Sequence, residues 1–210
     1  MVLDTQREKI DPALTFFARF FSRLHPNILT WISLVFAFVA GFLFYLSNPA
    51  TEATRCYLLY AALFVFLNGF FDAIDGKVAK LTNQTSLKGD FLDHALDRYA
   101  DVFMVGGIAL SPWCRSEIGL VAMVGMLLTS YMGTQAQAVG YRREYRGLLG
   151  RADRLVLLMI FPVLQHFFIP FQLPWDLSIM ELVLLYFAVV GNITAIQRFL
   201  SIMKWFKNQQ

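Results

Sequence analysis

The chain has 210 residues, of which 57% are hydrophobic and only 16% are charged, and its mean hydropathy is +0.53. Soluble domains are about 45–50% apolar and about 25% charged, so this chain has too few charged side chains to cover a water-soluble surface. The composition therefore excludes a soluble domain and indicates an all-α integral membrane protein. The net charge of +3 is too small to suggest a nucleic-acid partner.

The segment before the first long apolar run has an amphipathic pattern. Asp11 and Pro12 predict a helix start, with aspartate as the N-cap and proline at the first helical position. Apolar residues then recur at helical spacing, with Arg19 and Arg23 outside that stripe. We expect residues 11–25 to form an interfacial helix on the membrane surface, or alternatively a bent lead-in to the first span.

Six apolar runs follow, separated by turn-forming proline and glycine residues. Several are shorter than the roughly 20 residues that a helix needs to cross the hydrocarbon, so polar residues must complete the second and third. We predict one membrane-embedded domain over residues 1–210. Its six transmembrane helices are expected at about 27–47, 55–80, 88–112, 117–141, 153–171 and 178–203.

Positive charges are distributed unevenly among the predicted loops. Lysines and arginines cluster before the first span, between spans two and three, between spans four and five, and after span six, whereas the opposite loops carry only Arg55 and Arg115. Cytoplasmic loops are enriched in these residues. We therefore expect both termini and the active site on the cytoplasmic side, in the plasma membrane of a prokaryote.

An acidic segment joins the second predicted span to the third. On helices, Asp72 shares a face with Asp75, and Asp93 shares a face with Asp97. A turn near residues 82–86 would let the two faces meet. Each aspartate in mid-membrane costs about 2.5–3.5 kcal/mol, so these side chains cannot face lipid. Mutually repelling carboxylates held close together indicate bound cations.

The ligand types predict which cations bind. Hard oxygen ligands without a nearby cysteine favour Mg²⁺ or Mn²⁺ over Zn²⁺, and two such ions would form a clamp for phosphoryl transfer. Gly76, Ala79 and Gly89 leave the acidic faces free of bulk, and neighbouring lysines would suit a diphosphate. His94 is expected to point away from the acidic face.

This segment resembles the signature of the CDP-alcohol phosphotransferase family, D-x2-D-G-x2-A-R-x8-G-x3-D-x3-D. Seven of the eight fixed positions match with correct spacing, and only Lys80 stands where the family has arginine. The resemblance implies transfer of a phosphatidyl-type group from a CDP-linked lipid to the hydroxyl of a small polar alcohol, with release of CMP. It also implies a homodimer, because the family is usually dimeric.

The resemblance assigns roles to the matching positions. Asp72, Asp75 and Asp93 would bind the metals, and Asp97 would be the general base and also touch a metal. Outside the signature, Asn68 lies one turn before Asp72, and from this position it is expected either to contact the cytosine or to cap the bundle. The remaining positions expected to bind the cytidine diphosphate are Gly76, Ala79, Lys80 and Gly89.

The acceptor is predicted from basic residues later in the chain. Arg151, Arg154 and Arg198 resemble the branch that makes phosphatidylinositol phosphate or its archaeal counterpart, in which arginines hold the acceptor phosphate. That branch has basic residues on span four, where this chain has Gly133 and Gln135. Gln135 would contact acceptor hydroxyls or bond between helices. Inositol phosphate is the expected acceptor, and glycerol phosphate, serine and glycerol are the alternatives.

Two further features and two competing classes complete the interpretation. Arg98 and Asp101 are predicted to form an ion pair that shields the site. The arginines at 142, 143 and 146 either contribute to acceptor binding or set the topology. The competing classes are an intramembrane prenyltransferase, which also uses aspartates with Mg²⁺, and a cation transporter whose path the aspartates would line.

Overall fold

The computed structural model describes residues 7–141, 147–168 and 176–208, and within these ranges the regular structure is entirely helical. One α-helix and a short 3₁₀ turn (Phe21–Arg23) precede the bundle. The α-helices are α1 (Arg7–Phe20), α2 (Pro26–Leu46), α3 (Glu52–Arg55), α4 (Tyr57–Leu81), α5 (Leu87–Ala109), α6 (Ser116–Ala138), α7 (Arg151–Phe167) and α8 (Ile179–Lys207). The all-helical fold predicted from the sequence is confirmed.

The first helix differs from the prediction at its start. It begins at Arg7, so Pro12 lies inside it, and the prediction of a helix start at Asp11 and Pro12 is wrong. The physical reason is that proline removes one backbone hydrogen bond, which the good helix formers before it offset. The ring of Phe17 packs edge-on against Phe70 of α4 at 5.2 Å, and Phe20, one turn further along, is 76% exposed.

Within residues 7–141, 147–168 and 176–208, four segments are long and apolar enough to cross a membrane. They are α2, the α3–α4 segment Glu52–Leu81, α6 and α8. The other two predicted spans coincide with α5, which carries the second half of the acidic segment, and with α7, which has 17 residues. Six membrane crossings therefore remain a prediction.

Close helix packing fixes α5 against α2. A Cβ atom on Gly41 would lie 2.1 Å from the carbonyl oxygen of Phe103, and one on Gly107 would lie 2.0 Å from the carbonyl oxygen of Gly41. Only glycine permits such contact between backbones. Elsewhere α4 packs against α2 and α7, and α6 packs against α8. The C-terminal half of α5 is thus packed tightly against α2, and this packing fixes the position of the acidic N-terminal half.

A tight turn brings the acidic ends of α4 and α5 together. After α4 ends at Leu81, Asn83 adopts a left-handed conformation with φ of 54°. Ser86 caps α5 by accepting a hydrogen bond from the backbone N–H of Gly89 at 3.1 Å. The turn predicted near residues 82–86 is confirmed, and it reverses the chain so that the two acidic faces meet.

Candidate active site

Three aspartates from two helices converge beside this turn. Asp72 and Asp75 of α4 and Asp93 of α5 each place one carboxylate oxygen so that the three atoms lie within 4.8 Å of one another. Asp97, one turn further along α5, forms a second group of the same size with Asp93 and His94. The convergence predicted from the helical spacing is therefore present.

The ligand set fits a hard divalent cation. Asp75 is only 5% exposed, yet its Oδ2 atom has no hydrogen-bond partner. A buried carboxylate oxygen without a donor is costly unless a cation or proton compensates it. Since Asp72, Asp75 and Asp93 offer only oxygen atoms, the geometry suits Mg²⁺ or Mn²⁺.

The histidine next to these acids lies closer to them than the sequence predicted. The Nδ1 atom of His94 is 3.5 Å from Asp93, and its Nε2 atom is 3.3 Å from Asp90. The expectation that His94 points away from the acidic face is wrong, because its ring folds back along α5 between a neighbouring carboxylate and one a turn earlier.

Arg151, at the start of α7, completes the wall of the acidic site. Its guanidinium contacts Asp72 and Asp97, each at 2.6 Å. Its side chain is 19% exposed, so the positive charge lies largely inside the protein, where attraction to carboxylates is stronger than in water. The sequence predicted Arg151 as an acceptor ligand but not its position between two of the predicted metal ligands.

A cavity of about 720 Å³ opens beside the acids, between α1, α4 and α7. Its polar wall includes the three converging aspartates, Lys77, Lys80 and Arg151. Its apolar wall includes Phe66, Phe70, Leu155, Val156 and Met159. One cavity therefore joins an acidic and basic surface to a surface suited to hydrocarbon.

A second cavity of about 190 Å³ lies between the start of α2 and the α4–α5 turn. Gly89 and Ala79 line it, and Gly76 and Lys80 line both cavities. A Cβ atom added to Gly76 would meet nothing within 4 Å, so this glycine faces open space. The structure thus has small residues beside the acids, as the sequence predicted.

Several residues of these cavities were not predicted from the sequence. Asn27 and Thr30 of α2 line the smaller cavity, and Asp11 of α1 lines the larger one, where it pairs with Lys77. Lys77 itself was predicted, as one of the lysines expected beside the metals. The others come from segments that no motif connects to the acids, so a single sequence contains no sign of them.

Asp97 lines neither cavity but contacts Arg151, which lines the larger one. Four other predicted binding residues also line neither cavity. Asn68 is fully buried and donates to the carbonyl and hydroxyl oxygens of Ser33, which favours the alternative that it braces α4 against α2. Gln135 lies on an exposed part of α6. The other two are the buried arginines Arg154 and Arg198, each of which donates a hydrogen bond to another residue of the protein.

Both buried arginines form hydrogen bonds within the protein, and neither lines one of the two cavities. Arg154 is 3% exposed and bonds to Asp101 at 2.9 Å. Arg198 is 6% exposed and donates to the carbonyl oxygen of Thr129 at 2.6 Å. Asp101 also lies 3.7 Å from Arg98, so the predicted Arg98–Asp101 pair is confirmed. The arginines at 142, 143 and 146 lie outside the described residues.

Residues 23–196 match the family model of the CDP-alcohol phosphatidyltransferases. The chain therefore belongs to the CDP-alcohol phosphatidyltransferase family, and the resemblance seen in the signature is confirmed. It is accordingly a membrane-associated transferase of phospholipid biosynthesis.

Three of the similar curated proteins are archaetidylinositol or phosphatidylinositol phosphate synthases. The archaetidylinositol phosphate synthase of Pyrococcus horikoshii is 30% identical over 64% of this chain and 67% of its own length. The corresponding enzyme of Methanothermobacter thermautotrophicus is 28% identical over 80% of this chain and 82% of its own. The phosphatidylinositol phosphate synthase of Streptomyces avermitilis is 27% identical, covering 91% and 78%.

Solved structures share the fold. The phosphatidylinositol phosphate synthase of Mycobacterium tuberculosis with CDP-DAG bound has a TM-score of 0.72 and 22% identity, over 90% of this chain and 92% of that one. Its complex with manganese and citrate gives a TM-score of 0.73 and 22% identity, over 90% and 88%. At this identity the likeness establishes the fold.

Proposed function

We propose that this enzyme transfers the lipid phosphoryl group of a CDP-linked lipid to a hydroxyl of inositol phosphate and releases CMP. The observation that carries this proposal is the position of Arg151 on the cavity wall, in contact with Asp72 and Asp97. A guanidinium binds phosphate oxygens through paired N–H donors, so it can hold the acceptor's phosphate beside the reacting group. The names of the similar synthases support inositol phosphate.

The aspartates would hold the metal ions. Asp72, Asp75, Asp93 and Asp97 would together bind two Mg²⁺ or Mn²⁺ ions, which when bound neutralise the diphosphate and polarise the phosphorus. The short mutual distances of the carboxylates support this assignment, as does the Asp75 oxygen without a partner. Manganese in the structure of a mycobacterial relative is consistent with it.

The two cavities suggest where the donor binds. The smaller one, bordered by Gly76, Ala79 and Gly89, would take the cytidine diphosphate, because backbone without bulk lets a ligand approach closely. Lys80 lines both cavities and would contact the phosphates. The apolar wall of the larger cavity would contact the lipid part of the donor. CDP-DAG bound to a relative of the same fold supports such a donor.

The chemistry then follows from Asp97. Because Arg151 contacts both this carboxylate and the cavity, an acceptor phosphate on Arg151 brings its hydroxyl close to Asp97. The carboxylate takes the hydroxyl proton while the oxygen attacks the lipid-linked phosphorus. A new oxygen–phosphorus bond forms, the bond to the CMP oxygen breaks, and CMP leaves with that electron pair.

The acceptor can be tested directly on purified protein. With Mg²⁺ and CDP-archaeol or CDP-diacylglycerol, CMP release is measured with inositol phosphate, glycerol phosphate, serine or glycerol as acceptor. We expect inositol phosphate to give the highest kcat/KM and Arg151→Gln to raise its KM at least tenfold. Faster turnover with serine or glycerol, which have no phosphate, would contradict the proposal.

Glycerol phosphate is the second candidate, because Arg151 can bind its phosphate equally well. The same screen separates the two acceptors, and the preferred one must show the larger loss on Arg151→Gln. Family membership disfavours the prenyltransferase and the cation transporter. CMP release that requires both an alcohol and a divalent ion would exclude them.

We also propose six membrane crossings, both termini and the site on the cytoplasmic side, and a homodimer. The positive charges of the predicted cytoplasmic loops support this orientation. Cys56 is exposed at the start of the second predicted span, whereas burial raises the pKa of the Cys114 thiol to about 12. An impermeant maleimide should therefore label intact cells through Cys56, and the Cys56→Ser variant should stay unlabelled. Labelling of Cys56 only after lysis would show that the proposed orientation is wrong.

A further inference from the structure

The two halves of α1 are held to α4 by different kinds of contact. In the second half, Ala18 is fully buried in an apolar cluster, and just after the helix the rings of Phe21 and Phe71 pack edge-on at 5.5 Å. In the first half, the carboxylate of Asp11 forms an ion pair with the ammonium of Lys77. Apolar packing therefore fixes the second half of α1, whereas an electrostatic contact holds the first.

The contact at the first half is weak enough to break reversibly. The side chain of Lys77 is 24% exposed and that of Asp11 is 50% exposed. Water competes with ion pairs at such positions, so they contribute little to stability. Pro12 follows Asp11 directly and lacks the N–H that would bond back to the preceding turn of α1. The first half of α1 can therefore separate from α4 while the second half stays packed.

This weakly held half of α1 lies beside the larger cavity. Asp11 and Leu14 line that cavity together with Lys77, and residues of α7 line it from another side. In the part of the chain that the structure describes, α1 packs chiefly against α4, and α7 packs chiefly against α4 and α8. Phe16 and Phe20 of α1 are exposed, so this helix presents apolar side chains to the membrane. Separation of its first half from α4 would thus open the cavity toward the lipid.

We propose that the Asp11–Lys77 pair holds the first half of α1 as a gate between the bilayer and the larger cavity, and so determines which donors enter. A CDP-lipid with long chains enters from the bilayer and passes only when the pair is broken. A short-chain donor that dissolves in water reaches the acids without passing the gate. Because Lys77 lines the cavity, a donor phosphate competes with Asp11 for its ammonium. This inference rests on the proposed function, since it places a lipid-linked donor in the larger cavity.

The test closes the gate with a reversible cross-link. Asp11→Cys with Lys77→Cys, in a background carrying Cys56→Ser and Cys114→Ser, is bridged by a short bis-methanethiosulfonate and released by dithiothreitol. CMP release is measured with CDP-diacylglycerol carrying either oleoyl or butyryl chains. Relative to the reduced protein, we expect the bridge to slow release from the oleoyl donor at least tenfold and from the butyryl donor less than twofold. Equal loss with both donors, or loss with neither, would overturn the proposal.

A matched control places the same bridge at the fixed end of α1. Phe21→Cys with Phe71→Cys joins two positions whose rings already touch, and neither residue lines a cavity described above. Bridging these positions should leave CMP release from both donors within twofold of the reduced protein. If this bridge slows the oleoyl donor as much as the first one does, the ion-paired end of α1 is not the gate.

A second measurement requires no turnover. Met159 lines the larger cavity, and Met159→Cys in the same cysteine-free background provides a thiol there for a maleimide with a long alkyl chain. We expect Asp11→Asn to raise its labelling rate in membranes at least fivefold at an unchanged unfolding temperature. The reversed pair, Asp11→Lys with Lys77→Asp, should return the rate to within twofold of the parent.

An unchanged labelling rate in Asp11→Asn would overturn the gate whatever the activity. A parent protein that releases no CMP with any acceptor would instead refute the proposed function, and the labelling rates would still decide whether α1 opens.

Discussion

The two ends of the bundle each bury a carboxylate to the same extent but provide it with different partners. Glu181 is 5% exposed and accepts hydrogen bonds from the backbone N–H and the Nε of Arg115, at 3.0 Å and 2.7 Å. Asp75 is also 5% exposed, yet one of its oxygens has no donor. Glu181 thus joins helix ends, whereas Asp75 is arranged for a ligand that the protein does not supply.

The largest expected effect concerns the acid that the mechanism uses as a base. Asp97→Asn should reduce kcat by about 10³-fold, within the range for loss of a general base, and leave CDP-lipid binding nearly unchanged. A radiolabel assay of CMP release and an equilibrium binding assay with the donor measure the two quantities. Substantial turnover by this variant would remove Asp97 from the base role.

Neutralising the buried carboxylate at each end of the bundle should have opposite effects on activity and on stability. Asp75→Asn should strongly reduce divalent-ion-dependent turnover, though less than Asp97→Asn does. It should not lower the unfolding temperature, because it removes a repelling charge from the acidic cluster. Glu181→Gln should lower the unfolding temperature, since it weakens the hydrogen bonds that this buried carboxylate accepts from Arg115, and should keep kcat. Assays and thermal unfolding of both variants, with and without EDTA, provide the comparison. If Asp75→Asn destabilised the protein and stayed active, the distinction between the ends would fail.

Alanine substitutions at two glycines also separate an effect on the site from an effect on stability, because each adds only one methyl group. Gly76→Ala should preserve stability, because the new Cβ atom meets nothing within 4 Å, and should raise the donor KM several-fold by narrowing the cavities. Gly107→Ala should destabilise the bundle, because its Cβ atom would lie 2.0 Å from the Gly41 carbonyl oxygen. Donor titrations and unfolding temperatures separate the effects. An unaltered donor KM in Gly76→Ala would place the donor elsewhere.

The smallest expected effect tests the one departure from the family signature. Lys80→Arg restores the family's residue in a position that lines both cavities. A guanidinium forms a bidentate contact with phosphate that an ammonium cannot, so the donor KM should fall by about two- to threefold. Titration of the CDP-lipid at saturating acceptor measures this. A higher KM would mean that Lys80 contacts something other than the diphosphate.

The sequence predicted what depends on local periodicity. Helical spacing placed Asp72 with Asp75 and Asp93 with Asp97, and the polar run before Ser86 predicted the turn that joins them. These features depend on residues within a few positions of one another. The prediction of the first helix failed only at its start, where Pro12 occupies an interior position.

Contacts between segments that are distant in the chain were harder to predict from the sequence. Arg154 was predicted as an acceptor ligand, but it bonds to Asp101, which lies 53 positions earlier in the chain. Whether an arginine faces a cavity or a buried aspartate depends on how α7 rotates against its neighbours. That rotation is determined by packing over the whole bundle, so spacing within one helix does not predict it.

Direct measurement of metal binding tests the central claim, that the acids of α4 and α5 form a divalent-ion site. Mn²⁺ titration of the detergent-purified protein, followed by electron paramagnetic resonance, counts bound ions without reference to activity. We expect saturable binding of two ions per chain, lost in Asp93→Asn and retained in Glu181→Gln. Equal binding by the wild type and Asp93→Asn, or no saturable binding by either, would contradict the account.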